Sequence, residues 1–469
     1  MTLLNNRKFF IIIFCSLLFV YLLTMTYSVI SEKHFYADGV HFFLSILRFE
    51  TFMMNNPARQ YGQYFTEFPI VFCLKYAHTK NVTILSYIFG FGLYLPQIIS
   101  LSICFYIVRK TNIHYMLFPI LSLFGVSHSI FFHMASDTLA ITYVFWPILF
   151  FIVFVKEYKG VDMLLLMVIV FVFIRSYESA SILGLILLVV LIAEAYHNWK
   201  TVSNRTRLVW VALVLIIIYG IIIAVKEIMN PTDPINKASF LRDIPTVLNN
   251  NQAMLSAMYV LMITGTLLSK RFAASIQFKL IAISLFLITV YCSLVPVVKP
   301  EWARPWTQHT ARSFHVYMIP VLCLMAYVVF KGVVHVGKDS WNKAFILCAF
   351  LVVGQLTWQI LMTSQWNGFR HVFQEELMRH EGYVRFEDTR LVHHKIGNHL
   401  VGDMTWGWTN PTLSIVWSKN HNVKTIISNP VKCNWEPFDP RDIRALPKLG
   451  KYGFTYEKYI ENIRLQNPK

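Results

Sequence analysis

The stretch VDMLLLMVIVFVFIRSYESASILGLILLVVLIAEAY, residues 161–196, decides how this chain is folded. It holds two apolar runs around one polar break, Arg175-Ser176-Tyr177-Glu178. A single helix rising about 1.5 Å per residue would be about 54 Å long here, against a hydrocarbon core of about 30 Å. Basic clusters stand on both sides, Lys156 with Lys159 before it and Lys200, Arg205 and Arg207 after it. Short cationic loops are held on the cytoplasmic side, so the chain crosses an even number of times between these clusters. Two short spans with the break at their outer tip meet that requirement.

The same alternation extends along the chain. Of 469 residues, 56% are hydrophobic and 14% charged, a balance that excludes an ordinary soluble domain. The net charge of +17 is spread over Arg7-Lys8, Arg109-Lys110, Lys270-Arg271 and Lys331, Lys338 and Lys343, besides the two clusters above. Cations placed in every second break are a topology signal and not a nucleic-acid surface. Spans are expected at about 9–30, 82–108, 113–132, 138–155, the 161–196 pair, 208–225, 253–268, 276–297, 314–330 and 344–363. The fold class is therefore an all-α polytopic membrane protein of about eleven transmembrane helices, N-terminus cytoplasmic and C-terminus outside. The first span is too long for a secretory signal core and no small-residue cleavage site follows, so it reads as an uncleaved anchor.

Residues 1–363 form the expected transmembrane domain and 364–469 a small exported α+β domain. In that tail LSIVWS (413–418) and VKTIIS (423–428), separated by KNHN, read as a strand hairpin, and TYEKYIENIRL (455–465) as an amphipathic helix. Six cysteines lie in or beside apolar runs and only Cys433 in a polar one, which is no disulfide framework, although Cys73 and Cys433 offer one pairing. No phosphate-binding loop, nucleophile elbow, CxxC or HExxH occurs.

The exported first loop, 31–67, opens with HFYADGVHFF, residues 34–43, which sets Asp38 among aromatics and histidines at the membrane edge. Phe42, Ile46, Phe49 and Met53 then recur at helical spacing, with Ser45, Arg48, Thr51 and Asn55 on another side. This predicts a helix in the headgroup plane with its apolar side in lipid. NPARQYGQY breaks it, and FTEFPIVFCLKYAHTKN supplies a second short amphipathic piece.

A first exported loop with an early acidic residue and two membrane-parallel helices, on a many-span chain with an exported tail, resembles the GT-C superfamily of integral membrane glycosyltransferases. The resemblance implies transfer of a sugar from a polyprenyl-phosphate donor to a glycan, lipid or protein acceptor on the non-cytoplasmic face. A bacterial inner membrane is the expected location, with membrane lipids as further partners and no nucleic acid. Asp38 takes the place of the family's catalytic acid. Such chemistry needs a base for the acceptor proton and cations for the departing phosphate. Helix capping explains an Asp at that position equally well.

Asp137, in HMASD, is the second acidic residue near the outer edge and is expected to orient or bind substrate. His133 and Asp137, at i, i+4, could share a divalent ion, but a cap and a surface histidine explain the spacing as well, and no metal ligand is assigned. Arg175 and Glu178 are ionisable groups between apolar runs, a functional signal by default. Either they pair with each other at i, i+3 or Arg175 holds the donor phosphate. In KPEWARPWTQHTARSF, Arg304, His309 and Arg312 are further expected substrate contacts, beside the alternative of an aromatic belt with snorkelling cations. A multi-pass transporter or flippase and a polysaccharide polymerase or ligase are the competing functions. Paired halves with ionisable groups near the midplane would mark the transporter.

Overall fold

The computed structural model describes residues 6–36, 38–53, 59–127, 138–230, 251–298, 308–392, 409–428, 446 and 448–466. Helices dominate. Helix α1 (Asn6–Ile30) precedes two shorter ones, α2 (Asp38–Phe49) and α3 (Gln60–Lys75). Then come α4 (Val82–Val108), α5 (Ile113–Val126), α6 (Thr138–Phe154), α7 (Gly160–Ile174) and α8 (Ala180–Asn198). The series continues with α9 (Asn204–Met229), α10 (Asn251–Leu268), α11 (Ile276–Val298), α12 (Gln308–Phe330) and α13 (Lys338–Arg379). Among the described residues, seven helices are long and apolar enough to cross a membrane: α1, α4, α8, α9, α10, α11 and α13. Four shorter apolar stretches, Ile113–Val126, Tyr143–Phe154, Gly160–Ile174 and Tyr317–Phe330, accompany them.

The breaks that carry the basic clusters gather at one end of the bundle. Phe10 packs on Phe345 at 4.8 Å, and Tyr115 packs on Phe154 and Phe330 at 5.2 and 4.7 Å. Thr206 Oγ1 donates to the Lys156 carbonyl (2.7 Å), Lys343 Nζ donates to the Ala273 carbonyl (3.1 Å), and Lys331 pairs with Glu194. Since α7 starts and α8 finishes at this basic end, the turn 175–179 lies at the other end. The chain therefore turns back between α7 and α8, where the break was expected, although α7 is shorter than the helices long enough to cross a membrane.

The tail joins that other end. Helix α13 runs unbroken from Lys338 to Arg379, so the expected boundary at 363/364 falls inside one helix. LSIVWS is not a strand: α14 (Asn410–Val416) takes up most of it, with Pro411 in its first turn. All seven residues of α14 are buried, and hydroxyls return to the preceding turn, Ser414 Oγ to the Asn410 carbonyl (2.8 Å) and Ser418 Oγ to the Ser414 carbonyl (2.6 Å). A polar–apolar alternation therefore does not separate outside from inside here. The second stretch is a strand, β2 (Thr425–Ile427), but it pairs in parallel with β1 (Gly382–Val384) rather than in a hairpin. The closing helix α15 (Glu457–Gln466) lies where the amphipathic pattern places it.

Both helices of the first loop depart from the headgroup-plane reading. Phe42 and Ile46 are buried against protein, as are Val40, Phe43, Leu44 and Leu47, and only Phe49 of the expected stripe within α2 is exposed. Helix α3 packs along the first half of α4. A Cβ at Gly92 would lie 2.5 Å from the Thr66 carbonyl oxygen, so glycine is what lets the two backbones meet. Gly92 is about 15 Å along α4 from Val82 at about 1.5 Å per residue. The start of α3 thus reaches well down the bundle, where it covers the tip of α7, a helix of only 15 residues.

Candidate functional site

Two neighbouring constructions occupy the end opposite the basic loops. The first is the turn between α1 and α2. Ser31 accepts from Trp366 Nε1 through its carbonyl and from Asn367 Nδ2 through its hydroxyl, both at 2.9 Å. Glu32, in left-handed backbone (φ 54°), accepts from Trp417 Nε1 (2.8 Å) and pairs with Arg370 (3.3 Å). Lys33, fully buried, donates to Gln359, and His34 Nε2 bonds Ser86 Oγ (2.9 Å). Four consecutive side chains or carbonyls therefore bind this turn to α4, α13 and α14, and Asp38 follows it directly. Burial lowers the His34 pKa to about 3 and that of His41 to about 4, so both rings are neutral near pH 7. Burial also raises the Glu32 carboxyl, which Arg370 and Trp417 partly offset, and pushes Lys33 well below the usual lysine range.

Asp38 is the first residue of α2 and is half-buried. His41 and Ser45 are half-buried too, at i+3 and i+7, while every other residue of α2 from Gly39 to Leu47 is buried. These three positions form one polar stripe on an otherwise enclosed helix. A carboxylate there is partly shielded from water yet reachable, the setting in which it can act as a base.

The second construction is the Arg175–Ser179 turn, which meets the start of α3. Arg175 and Glu178 do not pair with each other. Glu178 Oε1 pairs with Arg59 (2.7 Å), and Arg175 Nη1 donates to Gln60 Oε1 (3.0 Å). The Arg175 carbonyl also accepts from the Tyr61 and Gly62 amides (3.0 and 3.3 Å), which α3 leaves unsatisfied at its N-terminus. Tyr61 stacks on Phe171 at 4.1 Å, with the Arg175 guanidinium 5.4 Å from the Tyr61 ring, and Arg59 lies 4.4 Å from the Tyr177 ring. Helix α7 ends where its backbone turns at Arg175, and α3 supplies partners that residues 175–178 lack locally. For that reason the i, i+3 pairing gives way.

The sequence-predicted residues thus separate. Arg175 and Glu178 share one cluster, and the Arg175 side chain is engaged by Gln60 and Tyr61 rather than by Asp38. Asp38 stands at the same end, in the preceding segment. Asp137, His133 and Arg304 lie outside the described residues, while His309 and Arg312 fall in the first two turns of α12. Cys73 is a free thiol, and Cys433 lies outside the described residues. Among the described residues no group of three or more His, Cys, Asp or Glu side chains is placed to hold a metal. Sequence reasoning missed Arg59, Gln60 and Tyr61, which it treated only as a helix break, and His41. Arg59 beside two tyrosines near an apolar edge was the available signal. Compared with known proteins, the chain matches no family model, no curated sequence and no solved structure.

Proposed function

We propose that this chain is an eleven-span membrane glycosyltransferase of GT-C type that uses a polyprenyl-phosphate-linked sugar. The N-terminus and basic loops would face the cytoplasm and the tail the outer side, as expected for a bacterial inner membrane. The observation that carries the reading is the half-buried stripe Asp38, His41 and Ser45 on the enclosed helix α2, at the end opposite the basic loops. Asp38 takes the proton of an acceptor hydroxyl or amide as that atom bonds to the sugar C1. The C1–O bond to phosphate breaks, and the electron pair leaves with the polyprenyl phosphate. Arg175 stabilises that developing charge, with Arg304, His309 and Arg312 as further contacts of the donor.

The test is incubation of purified protein with labelled polyprenyl-phosphate sugars, comparing the wild type with Asp38→Asn. Release of polyprenyl phosphate by the wild type and its loss in Asp38→Asn are expected. Release undiminished in the variant removes Asp38 as base. A wild type that consumes no donor but moves solute across proteoliposomes is a transporter, and the proposal fails.

A further inference from the structure

Two glutamates bracket α2, Glu32 before it and Glu50 after it, and both hold left-handed backbone, with φ of 54° and 51°. Among the described residues only three other non-glycine positions have a positive φ, and those are His78, Asn420 and His421. Glycine takes this conformation without strain, so a glutamate there needs surroundings that hold it. Both ends of α2 are held in the same way. Glu32 accepts from Trp417 Nε1 (2.8 Å) and pairs with Arg370 (3.3 Å). Glu50 accepts from the Tyr452 hydroxyl (2.9 Å) and pairs with Lys451 (2.7 Å). Each carboxylate meets one aromatic donor and one cation, and both aromatic donors come from the C-terminal tail.

Those two donors belong to one frame. Trp417 packs on Trp366 and Phe373 of α13 (5.4 and 5.3 Å), and α14, which it follows, packs on α2. The Val423 amide donates to the Thr455 carbonyl (2.9 Å) and the Thr455 amide to the His421 carbonyl (3.1 Å). These bonds join the segment carrying Tyr452 to the one carrying Trp417. The buried Glu376 of α13 accepts from the Arg390 amide (3.0 Å) and pairs with its guanidinium, which fastens the tail to the long helix. At Glu50 the two grips are unequal. Lys451 and Glu50 are 42% and 48% exposed, so their ion pair contributes little, whereas Tyr452 is buried and donates to a charged oxygen.

We propose that the tail is a clamp that holds α2 at both ends and so sets the place of Asp38, with Tyr452 as a positioning residue. The catalytic consequence rests on the reading of Asp38 as base, while the clamp itself rests on the contacts alone. Misplacing a reacting group by about 1 Å can cost about a hundredfold in rate, so a helix released at one end is a poor carrier for a base.

The test uses the full chain in nanodiscs. Tyr452→Phe removes only the hydroxyl, and Glu50→Gly removes the carboxylate while relieving the backbone. Hydrogen-exchange mass spectrometry follows the peptide covering 38–49, and polyprenyl-phosphate release from a labelled sugar donor gives kcat and KM. Both variants should speed exchange in that peptide about tenfold or more, the effect of losing a hydrogen bond to a charged group. Both should also lower kcat about tenfold or more with the donor KM unchanged. Glu50→Gln keeps an acceptor oxygen for Tyr452 and should lose less than Glu50→Gly in both readouts. A turn that merely closes the loop gains from glycine at this φ, so exchange unchanged or slowed in Glu50→Gly overturns the clamp. A raised KM with kcat retained overturns the positioning of Asp38. Faster exchange in a protein that transfers no sugar leaves the clamp standing and removes the transferase. Sugar transfer with exchange unchanged in both variants does the reverse.

Discussion

Replacing Glu178 by Gln keeps the side chain's shape and removes its charge, so it isolates the ion pair that docks α3 on the α7–α8 turn. Both side chains are 18% exposed and their charged atoms are 2.7 Å apart. Exposed pairs contribute about 0–1 kcal/mol and breaking a buried one costs about 3–5 kcal/mol, so about 2 kcal/mol is expected at this intermediate burial. The Tyr61 and Gly62 amides, which donate to the Arg175 carbonyl, report the docking directly. If they exchange through local opening, a loss of about 2 kcal/mol speeds their exchange about thirtyfold. Hydrogen-exchange mass spectrometry of the full chain in nanodiscs reads this in the peptide covering 59–66. Arg59→Gln should give a similar acceleration, and the double variant little more than either alone. Unchanged exchange in Glu178→Gln, or additive effects in the double variant, refutes the docking account.

Two other perturbations follow from burial. His34 and His41 have folded pKa values of about 3 and 4, below the ordinary histidine value of 6.5. The unfolded state therefore binds more protons as pH falls below about 6.5, and stability present above that pH is progressively lost. At about pH 5.5 each ring accounts for a loss of about 1.4 kcal/mol. The Tm in detergent should drop between about pH 7.5 and about pH 5.5, and less steeply in His34→Gln; a variant as acid-sensitive as the wild type contradicts this. Gly92→Val places a side chain against the Thr66 carbonyl and should cost about 1–3 kcal/mol, read as a lowered Tm. Gly160→Ala, where a Cβ would meet nothing within 4 Å, is the control, and equal Tm values for the two would argue against close α3–α4 packing.

Helix positions were legible because apolar runs and the basic breaks between them are local signals, and seven of those helices are long and apolar enough to cross a membrane. The 175–179 turn was legible on the same grounds, since a run flanked by cations has to fold back. Its chemistry was not: Arg175 and Glu178 find partners 115 and 119 residues earlier, on α3, and no spacing rule reaches that far. The helix of α2 was legible, but its expected apolar stripe was not: Phe42 and Ile46 are buried together with Val40, Phe43, Leu44 and Leu47, and Phe49 is exposed, because composition does not distinguish lipid from protein as the covering surface. In the tail, α14 is buried on all sides, so its sequence carries no periodic signature. The parallel pairing of β1 with β2 joins residues 43 apart in sequence, whereas the turn-like KNHN suggested a neighbour. Asp38 was singled out for its isolation, while the anchoring of Ser31 to His34 on three other helices became visible only in three dimensions.

The central claim is that Asp38 takes the acceptor proton while a lipid phosphate departs at the same end of the bundle. It is tested most directly by measuring polyprenyl-phosphate release from a labelled sugar donor with wild type and Asp38→Asn side by side, each checked for an unchanged Tm. Release by the wild type that falls at least about a hundredfold in the variant is the predicted result, the range expected when a positioned base is removed. Equal release by both proteins, or none by either while solute crosses the membrane, contradicts it.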